Sequence, residues 1–247
     1  MGKLEARVQS EYDYAGMSFD GSAFVSETRR STSPVLSTGI QILSWRYVYA
    51  KRWIDIAGSI VLIALSLVPG LLIALLIALT SKGSVFYREI RIGRGGRPFR
   101  IWKFRSMCHE AQWQEVVKAG SGDGTFLHWR VHKTSTDPRI TPIGSFLRRW
   151  SLDELPQLLN VLWGDMSLIG PRPVVAAEVP LYGHLQYFYL AATPGLSGLW
   201  QVSGRSNVSF AARANLDASY VRGWSLRSDL AILLRTVPAV LGRVGAR

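Results

Sequence analysis

Asp153 and Glu154 stand side by side in the segment RRWSLDELPQ, with Arg148 and Arg149 just before them and Arg172, held between Pro171 and Pro173, eighteen residues after Glu154. Carboxylates can act as nucleophiles or hold a hard cation, and guanidinium forks match the oxygens of a phosphate. Neighbouring helical residues project about 100° apart. The two acids therefore cannot be equivalent ligands pointing one way, but they can divide labour, one attacking while the other holds a metal. The competing reading is local: Ser151 with Glu154 three positions on also spells a capping box, and acids favour a first helical turn for dipole reasons alone. Each arginine taken singly could equally be half of a surface ion pair. Lys103 and Arg105, on an expected strand, and Arg139, in TDPRIT, are further candidates for holding an anion.

The elements that must position these groups follow from the pattern around them. Pro142 to Arg149 reads as one helix and residues 151–163 as another, with Leu152, Leu155, Leu158, Leu159 and Leu162 on an apolar face. The stretch 164–173 is a rigid loop ending in GPRP. Residues 85–92 and 98–104 read as two strands of a hairpin around Gly93, Arg94, Gly95 and Gly96. That tip lacks the P-loop spacing and is a turn with solvated arginines. SGLWQVSGRS reads as a strand and turn, and residues 216–243 as two basic amphipathic helices suited to an anionic bilayer surface. Residues 108–134 look like a surface loop, and residues 1–44, rich in Ser, Thr, Gly and acids, like a loose tail. Neither carries assigned chemistry.

An apolar run at 56–79 dominates the chain. It is long enough to cross a hydrocarbon core of roughly 30 Å. Pro69 and Gly70 in its middle favour a kink. Lys51 and Arg52 precede it, and Lys82, Arg88, Arg91, Arg94, Arg97, Arg100, Lys103 and Arg105 follow it. The positive-inside rule then wants both ends in the cytoplasm, and a helix that dips in, bends and returns satisfies it. A kinked spanning helix is the alternative, and a soluble core helix fits poorly because the run has no polar stripe. Asp55 is expected at the interface or paired with a base such as Arg52.

Composition narrows the function classes. The 247 residues carry a formal charge of +12, with nine tryptophans, four histidines and a single cysteine, Cys108. Such charge calls for nucleic acid, an anionic membrane or a phosphorylated substrate. One cysteine excludes an intramolecular disulfide, and no zinc-ligand spacing is present. No signal peptide is expected, since residues 1–44 lack an apolar core. The basic residues gather beside the apolar run and no nucleic-acid motif accompanies them, so nucleic acid is not expected as a partner.

KRWIDI, the Pro-broken apolar run, VFYREIRIGRGGRPFRIWKFRSM, TDPRITPIGSFLRRWSLDELPQLLNVLWGDMSLIGPRPV and PGLSGLWQVSGRS, in that order over residues 47–243, resemble the bacterial sugar transferase family of monotopic phosphoglycosyl transferases. The resemblance implies an α+β, mostly helical monotopic membrane protein: a flexible tail at 1–44, a re-entrant membrane helix at 45–82, and at 83–247 a cytoplasmic catalytic domain with a small hairpin and amphipathic surface helices. It implies Asp153 as nucleophile toward the sugar-bearing phosphate of a UDP-sugar, Glu154 as a holder of Mg²⁺, and Arg148 and Arg172 as phosphate-binding arginines. Lys103, Arg139, Gln201 and Arg205 become pocket residues, with Arg105 beside them. It also implies polyprenyl phosphate as acceptor, the cytoplasmic face of the bacterial inner membrane as the place, and a second copy of the chain or other polysaccharide-assembly enzymes as partners. Within the family, the pattern is most like members that start exopolysaccharide assembly with galactose-1-phosphate or glucose-1-phosphate. Asp229, in SLRSDL, is expected to cap or to pair with nearby arginines. Val68 stands where the family usually has Ser before the proline, with Ser66 three residues before it, and Thr80 replaces a common acid. The four-helix domain that opens longer relatives is not seen, so a short form is expected. A non-enzymatic membrane-anchored scaffold of polysaccharide assembly is the rival reading, because charge and the apolar run alone would suit it.

Overall fold

The structure, a computed structural model, describes residues 46–108, 139–204 and 208–242. The expected tail, most of the expected 108–134 loop, and Arg205 lie outside them.

A π-helical turn, Arg46–Lys51, leads into helix α1, Arg52–Thr80. At 1.5 Å per residue α1 is about 43 Å long. The expected break at Pro69 is not a break in the helix, which runs on through it. One turn earlier the Ser66 hydroxyl donates to the Leu62 carbonyl at 2.6 Å, a back-bond that tends to bend helices. Leu65, Val68, Leu71, Leu75 and Leu79 are all exposed. An apolar surface of this extent is not that of a soluble core helix and needs lipid or a partner to cover it.

Both ends of α1 are fixed to one body. Near its start, Arg52 donates to the Val161 and Leu162 carbonyls at 2.6 and 2.7 Å, covering the last acceptors of helix α3 (Gln157–Trp163). The expected pairing of Asp55 with Arg52 does not form. Asp55 is buried and accepts from the Ser167 hydroxyl and the Leu168 amide, both at 3.0 Å, because a buried carboxylate needs donors and these are aimed at it. Near the far end, Ile73 and Ile77 pack with Phe104 and Leu147 in a small apolar cluster.

Strands β1 (Phe86–Ile92) and β2 (Pro98–Phe104) form the expected antiparallel hairpin, with Phe86 opposite Phe104 and Ile92 opposite Pro98. Gly95 and Gly96 take positive φ at its tip. Asn160, fully buried on α3, accepts from the Trp102 amide and donates to the Arg100 carbonyl, so α3 completes one edge of the hairpin. Helix α2 (Pro142–Arg149) starts at Thr141, whose hydroxyl caps the Gly144 amide. Strands β3 (Ser167–Ile169) and β4 (Gly195–Ser197) form a short parallel pair, with helix α4 (Gln186–Ala191) between them in sequence. After β4 the chain enters helix α5 (Leu199–Val202), so WQV is helical rather than the expected strand. Helices α6 (Phe210–Arg222) and α7 (Leu226–Leu241) close the fold. The main core gathers Ile92, Phe99, Ile101, Val161, Val174, Tyr189 and Val221. The class is α+β, mostly helical, as expected.

Candidate active site

Three segments meet where the chemistry was expected: the turn after α2, the inner face of the hairpin, and the loops that follow β3 and β4. The capping-box reading of Ser151 fails. Ser151 sits at φ 56°, makes no side-chain cap, and is the sole non-glycine with positive φ among the described residues. Instead of one helix over 151–163, a 3₁₀ turn spans Leu152–Glu154 and α3 starts at Gln157. Pro156 has no amide to give the Leu152 carbonyl, which takes a bond from Leu155 instead. The left-handed residue turns the pair so that Asp153 is buried while Glu154 stays half-exposed. Strain of this kind gathers at functional sites.

Around Asp153, β2 contributes Lys103, whose ammonium lies 3.2 Å from a Glu154 oxygen. Helix α2 contributes Arg148, whose Nε donates to the Ser106 hydroxyl at 2.9 Å. Burial first, and then the Glu154 charge, hold the Asp153 carboxyl above its ordinary range, while Lys103 and Arg148 pull it down. Arg172 emerges from the GPRP loop with its guanidinium 5.2 Å from the centre of the Trp200 ring, a cation–π distance. Burial lowers its pKa, with Glu154 opposing and Arg91 and Arg213 adding to the drop; it remains a cation at neutral pH.

A cleft joins these parts, with polar walls from Arg91, Lys103, Glu154, Gln157, Arg172 and Gln201. Of the sequence-derived candidates, Lys103, Glu154, Arg172 and Gln201 meet there. Asp153 and Arg148 lie beside it. Arg139 sits at the bridge between Met107 and Ile140, its carbonyl bonded to the Cys108 amide. Arg105 is a correction: its guanidinium donates to the Ser81 and Lys82 carbonyls at 2.7 and 2.6 Å, covering acceptors at the end of α1. It fixes the end of α1 rather than facing the cleft. Asp229 has the structural role expected, though its cation is Lys51 at 2.6 Å rather than an arginine, with Tyr220 and Trp224 also donating to it.

Arg91, Gln157, Trp200 and Arg213 were not picked out from the sequence. Two had a usable signal. Residues 87, 89 and 91 share a strand face with 99, 101 and 103 through the hairpin register, which sets Arg91 on the face of Lys103. Gln157 follows Glu154 by three positions, a spacing that brings side chains together in a helical turn. Trp200 and Arg213 reach the site only through tertiary packing.

Behind the arginines, Asp217 is buried and accepts from the Tyr182 hydroxyl at 2.9 Å. Burial pushes its carboxyl up to about 7, against the hydrogen bond and the charges of Arg213 and Arg172. A carboxyl raised in the folded state contributes stability that is complete below its unfolded pKa near 3.8 and is lost as pH rises through about 7. At roughly 1.4 kcal/mol per tenfold change in proton affinity, the ionised form costs on the order of 4 kcal/mol. Asp217→Asn should therefore flatten the decline in thermal midpoint between pH 4 and 8, measured in detergent. An unchanged slope would show that Asp217 does not carry it.

No group of three or more His, Cys, Asp or Glu side chains able to hold a metal occurs among the described residues. The two carboxylates nonetheless fit a small hard cation that takes one or two protein carboxylates and completes its shell with phosphate oxygens and water.

The description "Bacterial sugar transferase" belongs to the family model that matches residues 46–243. The chain is 45% identical over 194 residues to the exopolysaccharide production protein ExoY of Rhizobium meliloti, covering 77% of this chain and 85% of that one. It is 44% identical over 202 residues to the undecaprenyl-phosphate galactose phosphotransferase of Salmonella typhimurium, covering 80% of this chain but 42% of that one. Against the UDP-glucose:undecaprenyl-phosphate glucose-1-phosphate transferase of Caulobacter vibrioides it is 41% identical over 199 residues, covering 77% and 69%. The chain belongs to the bacterial sugar transferase family and is an enzyme, a phosphoglycosyl transferase.

Proposed function

We propose that the chain transfers a hexose-1-phosphate from a UDP-sugar to undecaprenyl, or another polyprenyl, phosphate and so initiates an exopolysaccharide or related glycan. The observation that carries this reading is a buried carboxylate, Asp153, beside a cleft walled by Arg91, Lys103 and Arg172, together with the acceptor and donors in the names of the relatives. In the first step an Asp153 oxygen attacks the sugar-bearing phosphorus. The bond from that phosphorus to the bridging oxygen breaks, and UMP leaves with that oxygen. In the second step an oxygen of the lipid phosphate attacks the same phosphorus, restores the carboxylate and forms a polyprenyl diphosphate sugar. Lys103, Arg148 and Arg172 hold phosphoryl oxygens in line and offset their charge. Glu154 would hold Mg²⁺, which supplies further neutralisation of the diphosphate.

The left-handed Ser151 and the turn it starts hold Asp153 in place before substrate arrives, so less ordering remains for the reaction itself. Two half-reactions on one carboxylate require ping-pong kinetics. Mixing enzyme with UDP-glucose or UDP-galactose and no lipid should release UMP in a burst of about one equivalent per active enzyme. UMP release that waits for polyprenyl phosphate would remove the covalent intermediate.

The topology in this reading is re-entrant, with both flanks of α1 in the cytoplasm. Support comes from the anchoring of both ends to one body, Arg52 and Asp55 at the first, Ile73, Ile77 and the Arg105-bonded carbonyls at the second. A helix crossing the bilayer would carry one of these ends away from its partners. Single cysteines at Tyr49 and Ser84, in a chain lacking Cys108, should both escape an impermeant thiol reagent in intact cells. Labelling of one alone would mean that α1 spans.

A further inference from the structure

The polar atoms of the cleft and its wall are unbalanced in one direction. Arg91 Nε, Gln157 Nε2, Trp200 Nε1, and both Nε and Nη2 of Arg213 are five buried donors without a hydrogen-bond acceptor, against two unpartnered acceptors, Gln201 Oε1 and, behind the arginines, Asp217 Oδ1. Buried donors left without partners are costly. A wall this rich in donors is completed by a ligand rich in acceptors.

The cations around it fall into two groups. Lys103 and Arg148 attend Asp153, with Lys103 3.2 Å from Glu154. Arg172, Arg91 and Arg213 form the second group. Arg172 and Arg213 share the Trp200 ring, at 5.2 and 5.7 Å from its centre, and Arg213 also lies 4.3 Å over Phe210. Glu178 stands among them, 3.6 Å from Arg213 and 4.0 Å from Arg91. Those separations are ion-pair contacts and too long for good hydrogen bonds. Arg91 is already paired with Glu89 and donates to the Pro173 carbonyl, and Glu178 is itself bonded to the Val175 amide. Arg213 is therefore the guanidinium held to an acid only at ion-pair distance, and a phosphoryl group would satisfy its donors better than Glu178 does.

We propose that Arg213, with Arg172 and Arg91, binds the phosphoryl group that stays with the nucleotide, and that Glu178 is the counter-charge this phosphoryl displaces. The inference rests on the donor-site reading above and adds a residue and a division of labour to it. Lys103 and Arg148 serve the phosphoryl that moves to Asp153. The arginines on Trp200 serve the one that departs as the monophosphate.

The probes are UMP and uridine, titrated into the full chain in detergent, with donor labelling of Asp153 measured in parallel. In the wild type UMP should bind more tightly than uridine. Arg213→Gln should narrow that gap by roughly tenfold, the scale of one charged hydrogen bond, and Arg213→Lys should restore part of it. Glu178→Gln should widen the gap, because it removes a competitor for the arginines; a purely structural role for Glu178 would not tighten binding of a phosphate. Equal losses of UMP and uridine affinity in Arg213→Gln, or an unchanged gap, with Asp153 labelling intact in the wild type, would overturn the role of Arg213 alone. Absence of labelling in the wild type would instead sink the reaction on which it rests.

Discussion

Asp153→Asn should abolish both the covalent phosphosugar and turnover, with activity falling by at least about a thousandfold, the scale seen when an essential nucleophile is removed. Asparagine keeps the volume and one carbonyl oxygen but cannot attack phosphorus as an anion. The substitution should leave the fold intact, because the Asp153 environment makes its charge a burden: burial and the Glu154 carboxylate both disfavour ionisation. Neutralising the side chain removes that penalty, so the thermal midpoint of Asp153→Asn should equal or exceed that of the wild type. Radiolabelled UDP-sugar, quenched and separated under denaturing conditions, reads the first effect, and thermal unfolding in detergent reads the second. Normal donor labelling in a stable Asp153→Asn protein would exclude Asp153 as the attacking group. A sharp drop in stability would mean that the carboxylate holds the turn together rather than serving chemistry.

The contrast between stability and activity at this position reflects what the sequence could and could not disclose. The acids, GPRP and the strand pair were legible because each is a local pattern: a motif, a proline bracket, or a turn between alternating strands. The geometry that makes the acids reactive was not. S-x-x-E satisfies the rule for a helix cap, yet Pro156 denies Leu152 its ordinary helical donor and Ser151 takes the left-handed conformation. Pro156 was in view, but its consequence depends on how Leu152 and Leu155 pack beneath α2. Long-range partners were equally hidden. Arg105 looked like a phosphate ligand because its charge is the same whether it faces an anion or the carbonyls at a helix end, and only the fold brings Ser81 and Lys82 to it. Asp55 looked for a neighbouring base and found a hydroxyl and an amide more than a hundred residues away.

Gly195→Ala should destabilise the protein by about 3 kcal/mol or more, the upper end of the cost of core overpacking, and should take activity with it. At this position a Cβ would lie 2.0 Å from the Gly170 amide nitrogen and 2.4 Å from the Ser197 carbonyl oxygen. Both are backbone atoms, so no side chain can swing aside. The close approach is what allows Gly195 N to bond Pro171 O, and Gly170 N to bond Ser197 O, each at 2.8 Å. Those bonds tie the loop that carries Arg172 to the strand that leads into α5 and Trp200. Separating the two strands would pull Arg172 away from its ring and open the cleft wall at Gly195 and Leu196. Gly95→Ala gives the comparison, since it places a Cβ at positive φ, a backbone penalty that Gly195 does not carry, but meets nothing within 4 Å. Its cost should be only the backbone term of about 1–2 kcal/mol, with UMP release from UDP-sugar preserved. If Gly195→Ala unfolded no earlier than Gly95→Ala and still released UMP at the wild-type rate, the parallel strand pair would not be what holds the second group of arginines in register with Asp153.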